Sequence, residues 1–260
     1  MKRGSFLLSA VVFCFMGCAH APKKAEGTLV PQVSKEPPVR SSFTTARLSK
    51  TSSSSQPVLS KTAQSLARQG YVNVKDEDST ICVSLMYSRP DNFCGVVLYG
   101  DLREAYLHPK AARALKRAQA YLKSIRPDLS LIVFDAARPM HIQQEMWDRV
   151  KNTPEFFYVS NPAHGGGLHN YGLAVDVSLC NLKGDTLDMG TKIDFMGPAA
   201  HIDRENSLVR HHRISRQAEA DRLLLRRVMR HAGWRALPTE WWHFNFCSRS
   251  VARKYYKVIP

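Results

Sequence analysis

The 260-residue sequence predicts a single compact α+β domain, in which helices flank a mainly antiparallel sheet, preceded by an N-terminal extension. Strand-like and helix-like segments interleave from about residue 65 onward, without internal repeats and without a glycine-rich phosphate loop. The composition, 44% hydrophobic and 23% charged, is typical of a soluble globular protein with a real core.

The extreme N-terminus, residues 1–21, is predicted to be an export signal, because Lys2 and Arg3 precede an apolar run too short to span a bilayer comfortably. Two processing routes stay open. The stretch FMGC resembles a bacterial lipobox and would place a lipid on Cys18, whereas Ala19-His20-Ala21 fits ordinary signal peptidase. Either route predicts a mature protein outside the cytoplasm, in the periplasm or lipid-anchored in the bacterial cell envelope.

Residues 22–64 are predicted to form a disordered tether, since stretches such as SKEPPVRSS and SKTSSSSQP contain few large apolar side chains. The formal net charge of +15 falls to +13 without Lys2 and Arg3. Such an excess indicates either an anionic neighbour or a solvated basic surface. We expect no nucleic-acid partner, because no RNA-binding or zinc-finger motif is present, and no membrane contact beyond the lipid on Cys18.

The first half of the domain, predicted to start at residue 65, contains two strands and two helices. ICVSLMY (81–87) has strand character and RPDNFCG after it is typical of a loop. Apolar residues recur at helical spacing over 107–125. LSLIVFD (129–135) is predicted to be a buried strand, and a second helix should follow through Val150.

The second half of the domain repeats this alternation. LAVDVSL (173–179) and TEWWHFNF (239–246) are predicted strands, and 215–232 is a predicted helix that ends at Gly233. Four cysteines outside the signal region are compatible with disulfides in an oxidising compartment, or equally with isolated buried thiols: Cys82, Cys94, Cys180 and Cys247.

A histidine and an aspartate stand seven residues apart at the start of LAVDVSL. Strand alternation places Asp176 on the face opposite Val175 and Val177, and Gly172 allows the chain to turn between His169 and the strand. The pair is therefore either a metal-ligating pair or a hydrogen-bonded turn that leads into a strand.

TEWWHF offers the residues that a catalytic metal site would still need. A catalytic zinc takes three protein ligands, and His169, Asp176 and His243 would form such a set, leaving Glu240 as a general base. Residues three apart on a regular strand point to opposite faces, so Glu240 must lie before the strand, at a bend or at a bulge. The alternative is an aromatic core around a satisfied histidine.

Arg138 follows the buried strand that ends in Asp135. It is predicted to be either a salt-bridge partner of Asp135 or a cation in the cleft that stabilises an oxyanion. His164, His211 and His212 lie in polar segments and are expected to be solvated. No GxSxG or HExxH motif supports a different hydrolytic mechanism.

HNYGLAVD (169–176) and EWWH (240–243) resemble the HxxGxAxD and ExWH motifs of the zinc D-alanyl-D-alanine dipeptidases of the vancomycin-resistance type. The resemblance continues, in the same order, through MYSRPDNFCG, VFDAARP and LDMGTKID. It implies a zinc site in a central cleft, with one Zn²⁺ per chain, Glu240 as proton donor and acceptor and Arg138 as transition-state stabiliser. The implied zinc ligands are His169, Asp176 and His243, and the expected substrate-binding residues are Asp135, Tyr87, Asn92 and Phe93.

The implied reaction is hydrolysis of cell-wall-derived D-Ala-D-Ala to D-alanine, with short peptidoglycan peptides as further substrates. Gly167 departs from the family, whose members usually carry a serine two residues before the first histidine, and this bears on specificity. Two alternatives stay open: a peptidoglycan D,D-carboxypeptidase or endopeptidase with the same zinc site, and a non-catalytic zinc-containing wall-binding module.

Overall fold

The computed structural model describes residues 59–260. The predicted signal peptide with Cys18 lies outside the described residues, as does the predicted tether apart from residues 59–64. The first helix begins at Lys61, four residues before the predicted start of the domain. The side chain of Ser60 caps it by accepting the N–H of Ala63 at 3.1 Å, and Leu66 is buried against the core.

Within these residues the chain forms seven α-helices and seven β-strands. The helices are α1 (Lys61–Arg68), α2 (Val74–Glu77), α3 (Pro109–Ile125), α4 (Met140–Val150), α5 (Glu205–Arg210), α6 (Arg216–His231) and α7 (Arg249–Tyr255). The strands are β1 (Val72–Asn73), β2 (Cys82–Val83), β3 (Tyr106–Leu107), β4 (Leu129–Asp135), β5 (Ala174–Asn181), β6 (Arg235–Leu237) and β7 (Glu240–Asn245).

The main sheet has five strands in the order β2-β4-β5-β7-β6. Only the β2–β4 pair is parallel, so the predicted α+β domain with a mainly antiparallel sheet is confirmed. β5 lies at its centre, buried on both faces, with Val177 opposite Val133 of β4 and Asp176 opposite His243 of β7. β1 and β3 form a separate antiparallel pair.

Helix α3 shows how the sequence pattern produces the packing. His108 caps its N-terminus and Pro109 is its first residue, where a missing N–H costs nothing. It begins two residues later than predicted, because Tyr106–Leu107 pair with β1 instead. Four of its five alanines and both of its leucines are buried, and the helix packs on β4 and α6. Gly233, at a φ of 90°, follows the end of α6 as predicted.

The segment 81–87 differs most from its prediction. Only Cys82–Val83 pair with β4, and Met86–Ser88 form a 3₁₀ turn. Periodicity cannot distinguish a strand from a turn in so short an apolar run. Here the apolar side chains are buried because the chain turns inward. The carbonyl of Tyr87 accepts the N–H groups of Leu98 and Tyr99, at 2.9 and 2.8 Å, and this holds the turn.

None of the helices in residues 59–260 combines the length and apolar character that crossing a bilayer requires. The four cysteines of the described domain are free thiols, as one of the two alternatives expected, but only Cys180 is buried and its thiol lies beside that of Cys82.

Candidate metal centre and active-site cleft

His169 and Asp176 are brought together by a tight turn. His169 lies in the 3₁₀ turn Leu168–Tyr171, and Gly172, at a φ of 62°, redirects the chain into β5. A Cβ at Gly172 would lie 2.6 Å from the ring of Tyr71 and 2.9 Å from the backbone nitrogen of His108, so only glycine fits.

Three donor atoms from separate elements converge. Nδ1 of His243 lies 3.0 Å from Oδ1 of Asp176 and 3.2 Å from Nε2 of His169, and the His169–Asp176 distance is 3.4 Å. Tetrahedral zinc with ligands at 2.0–2.1 Å requires donors about 3.3–3.4 Å apart. The predicted set therefore has the spacing and the buried position of a zinc site.

Hydrogen bonds on the outer side of both imidazoles set their tautomers. Nδ1 of His169 lies 2.7 Å from the carbonyl oxygen of Ala136, and Nε2 of His243 lies 3.0 Å from Oδ1 of Asn245. With each outer nitrogen donating to an oxygen, the two inner nitrogens can present lone pairs to a cation, and without a cation they can carry protons toward Asp176. Such a pair is satisfied by a cation between them, and the outer oxygens are the partners that metal-bound histidines use.

Asp176 supplies the negative charge of this set. Burial alone would raise its pKa, but the charge of His169 and hydrogen bonds from both imidazoles hold the pKa of the Asp176 carboxyl well below its usual range. Burial likewise opposes the charge on His169, yet Asp176 and Asp135 together raise the pKa of that imidazole. The donor set thus attracts positive charge into the cleft.

Glu240 reaches the same point because β7 is irregular. Phe244 pairs with Ala236, but Glu240 pairs with the next residue of β6, Leu237, so β7 bulges between them. Oε2 of Glu240 consequently lies 3.8 Å from Nδ1 of His243. Burial raises the pKa of Glu240 to about 7. A carboxyl with this pKa can both accept and donate a proton near neutral pH.

Arg138 is both a salt-bridge partner and a cation of the cleft. Its Nε lies 3.1 Å from Oδ2 of Asp135, its Nη2 contacts the same oxygen, and its Nη1 donates to Gln143 at 2.9 Å. The guanidinium also lies over the ring of Tyr87, 5.0 Å from its centroid. Asp135, which was expected to bind substrate, is instead fully buried and absent from the cleft wall, so it acts through Arg138.

The three candidate metal ligands, Glu240 and Arg138 line one cleft of about 890 Å³, which also includes Tyr87 and Phe93 as expected. The expectation for Asn92 is wrong. Its amide donates to the carbonyls of Arg89 and Val96, at 2.6 and 2.8 Å, so its side chain is directed into its own loop.

The three histidines that were expected to be solvated are exposed, although one of them, His164, borders the cleft: His164, His211 and His212.

Asp194, the last residue of LDMGTKID, lines the cleft although the residue patterns assigned it no role. It has a φ of 63°, a conformation that aspartate tolerates better than most residues, and it accepts the hydroxyl of Tyr87 at 2.9 Å. Burial, followed by the charge of Asp176, raises the pKa of Asp194 to about 7. Its place in a motif quoted for the resemblance was the available signal.

A buried arginine holds the segment that carries Asp194. The Nε of Arg222 donates to the carbonyl of Met189 at 2.6 Å and its Nη2 to that of Ala199 at 3.1 Å, so one side chain binds both ends of the segment. The guanidinium also lies 5.5 Å from the ring centroid of Trp241, the neighbour of Glu240. Arg222 thus connects two walls of the cleft.

Comparison with known proteins agrees with this geometry. A family model described as D-Ala-D-Ala dipeptidase, peptidase family M15, matches residues 69–260. A D-alanyl-D-alanine dipeptidase of Escherichia coli K12 is 32% identical over 163 residues, which cover 63% of this chain and 77% of the relative. A D-alanyl-D-alanine dipeptidase of Synechocystis is 28% identical, and the match covers 57% of this chain and 72% of the relative. One of Streptomyces coelicolor is 29% identical, and the match covers 61% of this chain and 82% of the relative.

The family match begins directly after α1 and runs to the last residue, so it includes every residue of the candidate metal centre. The chain belongs to the D-Ala-D-Ala dipeptidase family of metallopeptidases.

Proposed function

We propose that this protein is a zinc-dependent D-Ala-D-Ala dipeptidase that hydrolyses the dipeptide to two molecules of D-alanine. The observation that carries the proposal is the convergence of His169, Asp176 and His243 beside Glu240, in a cleft that Arg138 also lines. The family to which the chain belongs supports the same reaction.

The zinc would be held by Nε2 of His169, Oδ1 of Asp176 and Nδ1 of His243, whose spacing fits a tetrahedral ion. When bound, zinc supplies a Lewis acid that polarises the scissile carbonyl and activates water.

The remaining steps belong to the side chains of the cleft. Glu240 accepts a proton from the attacking water at its carboxylate and returns it to the leaving amine nitrogen, as its pKa near neutrality allows. Arg138 stabilises the negative charge that develops on the carbonyl oxygen. Asp135 fixes the guanidinium, and its charge helps to hold the pKa of Arg138 well above its ordinary value despite the burial, so the cation persists.

A free dipeptide also needs a partner for its ammonium group. Asp194 is a carboxyl on the cleft wall whose described hydrogen-bond partner is the Tyr87 hydroxyl. An ammonium group beside it would favour its ionised form and form a charge-assisted hydrogen bond. We assign the substrate's amino group to this position.

The size of the cleft favours a second candidate. Pockets of roughly 300–1,000 Å³ accommodate drug-sized ligands. At about 890 Å³ this cleft has room for more than two alanines, which is compatible with D,D-carboxypeptidase or endopeptidase action on peptidoglycan peptides. A wall-binding module without turnover is less well supported, since zinc binding alone requires neither Glu240 nor Arg138.

For the location, we propose an exported protein with a signal peptide (1–21), a tether (22–64) and the peptidase domain (65–260). Basic residues before a short apolar run, and the Cys18 lipobox, support export with or without a lipid anchor. The substrate would then be D-Ala-D-Ala or a short peptide released from peptidoglycan.

Mass spectrometry of products from D-Ala-D-Ala, a stem pentapeptide and muropeptides, each with and without a chelator, tests the proposal. We expect D-alanine from the dipeptide, loss of this product with the chelator and recovery with added zinc. If D-alanine is released from the pentapeptide but not from the dipeptide, the protein is a D,D-carboxypeptidase and not a dipeptidase. Chelator-resistant hydrolysis would overturn the zinc mechanism.

A further inference from the structure

Arg249, the first residue of α7, lines the cleft, and unlike Arg138 it has no acidic partner in the described part of the chain. Arg138 is ion-paired with Asp135, whereas Nη2 of Arg249 donates to a neutral acceptor, Oγ of Ser160, at 2.9 Å. Among residues 59–260 Arg249 takes part in no ion pair, and its side chain is exposed. The cleft therefore contains a full positive charge without a counter-charge.

The position of Ser160 depends on Gly167, two residues before His169. A Cβ at Gly167 would lie 3.0 Å from Oγ of Ser160 and 3.4 Å from its Cβ, tighter than ordinary packing allows. The absence of a side chain at Gly167 thus leaves room for the Ser160 hydroxyl. This hydroxyl orients the guanidinium of Arg249 beside the segment that carries His169.

The acidic residues of the cleft wall already have partners. Asp176 contacts both imidazoles, Glu240 lies near His243, and Asp194 accepts from Tyr87. Arg249 has instead polar, uncharged neighbours along the wall, Ser160 and Ser248, and a further exposed arginine, Arg235, also lines the cleft. This part of the wall is suited to an anion.

We propose that Arg249, held by Ser160, binds the C-terminal carboxylate of the substrate and determines specificity for it. The inference rests on the proposed peptidase function. Guanidinium N–H groups not used by Ser160 can form the two parallel hydrogen bonds that suit a carboxylate. With Asp194 at the amino group, the cleft would complement both charges of a zwitterionic dipeptide.

Arg249→Gln tests this assignment with two substrates, D-Ala-D-Ala and its C-terminal amide. For the free acid we expect KM to rise about 10- to 100-fold with kcat little changed, the effect of removing a charged hydrogen bond made equally in ground and transition states. KM for the amide should stay at its wild-type value, because the amide lacks the anion. Arg249→Lys should recover part of the loss and Ser160→Ala should cause a smaller one.

Lys254→Gln is the matched control, since it removes the same charge from the same helix outside the cleft wall. It should leave both KM values unchanged. An equal rise in KM for acid and amide in Arg249→Gln, or no rise for either, would refute the carboxylate assignment while leaving the peptidase intact. Failure of the wild-type protein to hydrolyse both compounds would instead refute the proposed function, and this assignment with it.

Discussion

Oε2 of Glu240 lies 3.8 Å from Nδ1 of His243, although residues three apart on a regular strand point to opposite faces. The bulge between the Leu237–Glu240 and Ala236–Phe244 pairs resolves this conflict. It places one carboxylate next to the candidate metal-ligand set without making it part of that set, which is the separation that a general base requires.

Replacing Glu240 should therefore separate catalysis from metal binding. Glu240→Gln keeps the shape but cannot accept a proton, and kcat should fall about 10²- to 10⁴-fold while zinc content is unchanged. His243→Ala should lose both zinc and activity. Elemental analysis and initial rates on D-Ala-D-Ala measure the two effects. Normal turnover by Glu240→Gln would exclude its role as the base.

Asn245 should tune zinc affinity without contacting the ion. Its Oδ1 accepts from Nε2 of His243 at 3.0 Å, and loss of such an outer partner costs about 10- to 100-fold in metal affinity or activity. We expect Asn245→Ala to weaken zinc binding by this factor in a competition titration against a chelator. The control is Asn181→Ala, at the far end of β5, which should bind zinc normally.

The Asp135–Arg138 pair should show separate effects on stability and on rate. Removing one partner of a buried ion pair costs about 3–5 kcal/mol, and Asp135→Asn should lower the free energy of unfolding by this order. Asp128→Asn, in an exposed pair with Arg126, should change the free energy of unfolding little.

Arg138→Lys keeps the positive charge but loses the planar arrangement of several N–H donors, so kcat should fall about 10²- to 10³-fold. Urea unfolding and steady-state rates measure these changes.

Asp194 should impose a pH-dependent cost on stability. Because its folded pKa of about 7 exceeds the ordinary 3.8, its contribution is most favourable below pH 3.8 and is lost as the pH rises through 7. Asp194→Asn keeps the acceptor for Tyr87 and tolerates the positive φ. In chelator, the variant should be more stable than wild type at pH 8, by no more than about 4 kcal/mol, and equally stable near pH 4.

The same substitution should weaken substrate binding, since the amide cannot pair with an ammonium group. KM for D-Ala-D-Ala should rise at pH 8 while stability improves. Unfolding curves at both pH values, together with rates, test the two effects. A variant less stable than wild type at pH 8 would contradict the assigned ionisation cost.

Local patterns in the sequence predicted most of the elements and the three residues that the structure brings together as a candidate metal site. β4, α4, β5, α6 and β7 follow from apolar periodicity, caps and glycine stops, which depend on neighbours in sequence. The residue types of HNYGLAVD and EWWH likewise indicated the donors, because a metal's preference for imidazole and carboxylate is a local chemical property.

Long-range pairing determined what those residues do together. The register that places Asp176 opposite His243, the bulge at Glu240 and the inward turn at Tyr87 depend on contacts between segments far apart in sequence. The same holds for the position of Asp194 in the cleft wall and for the Ser160–Arg249 contact beside Gly167, whereas Asn92 is drawn into its own loop. Periodicity specifies which face of an element is buried, but only packing of the whole domain specifies which side chains meet across a cleft.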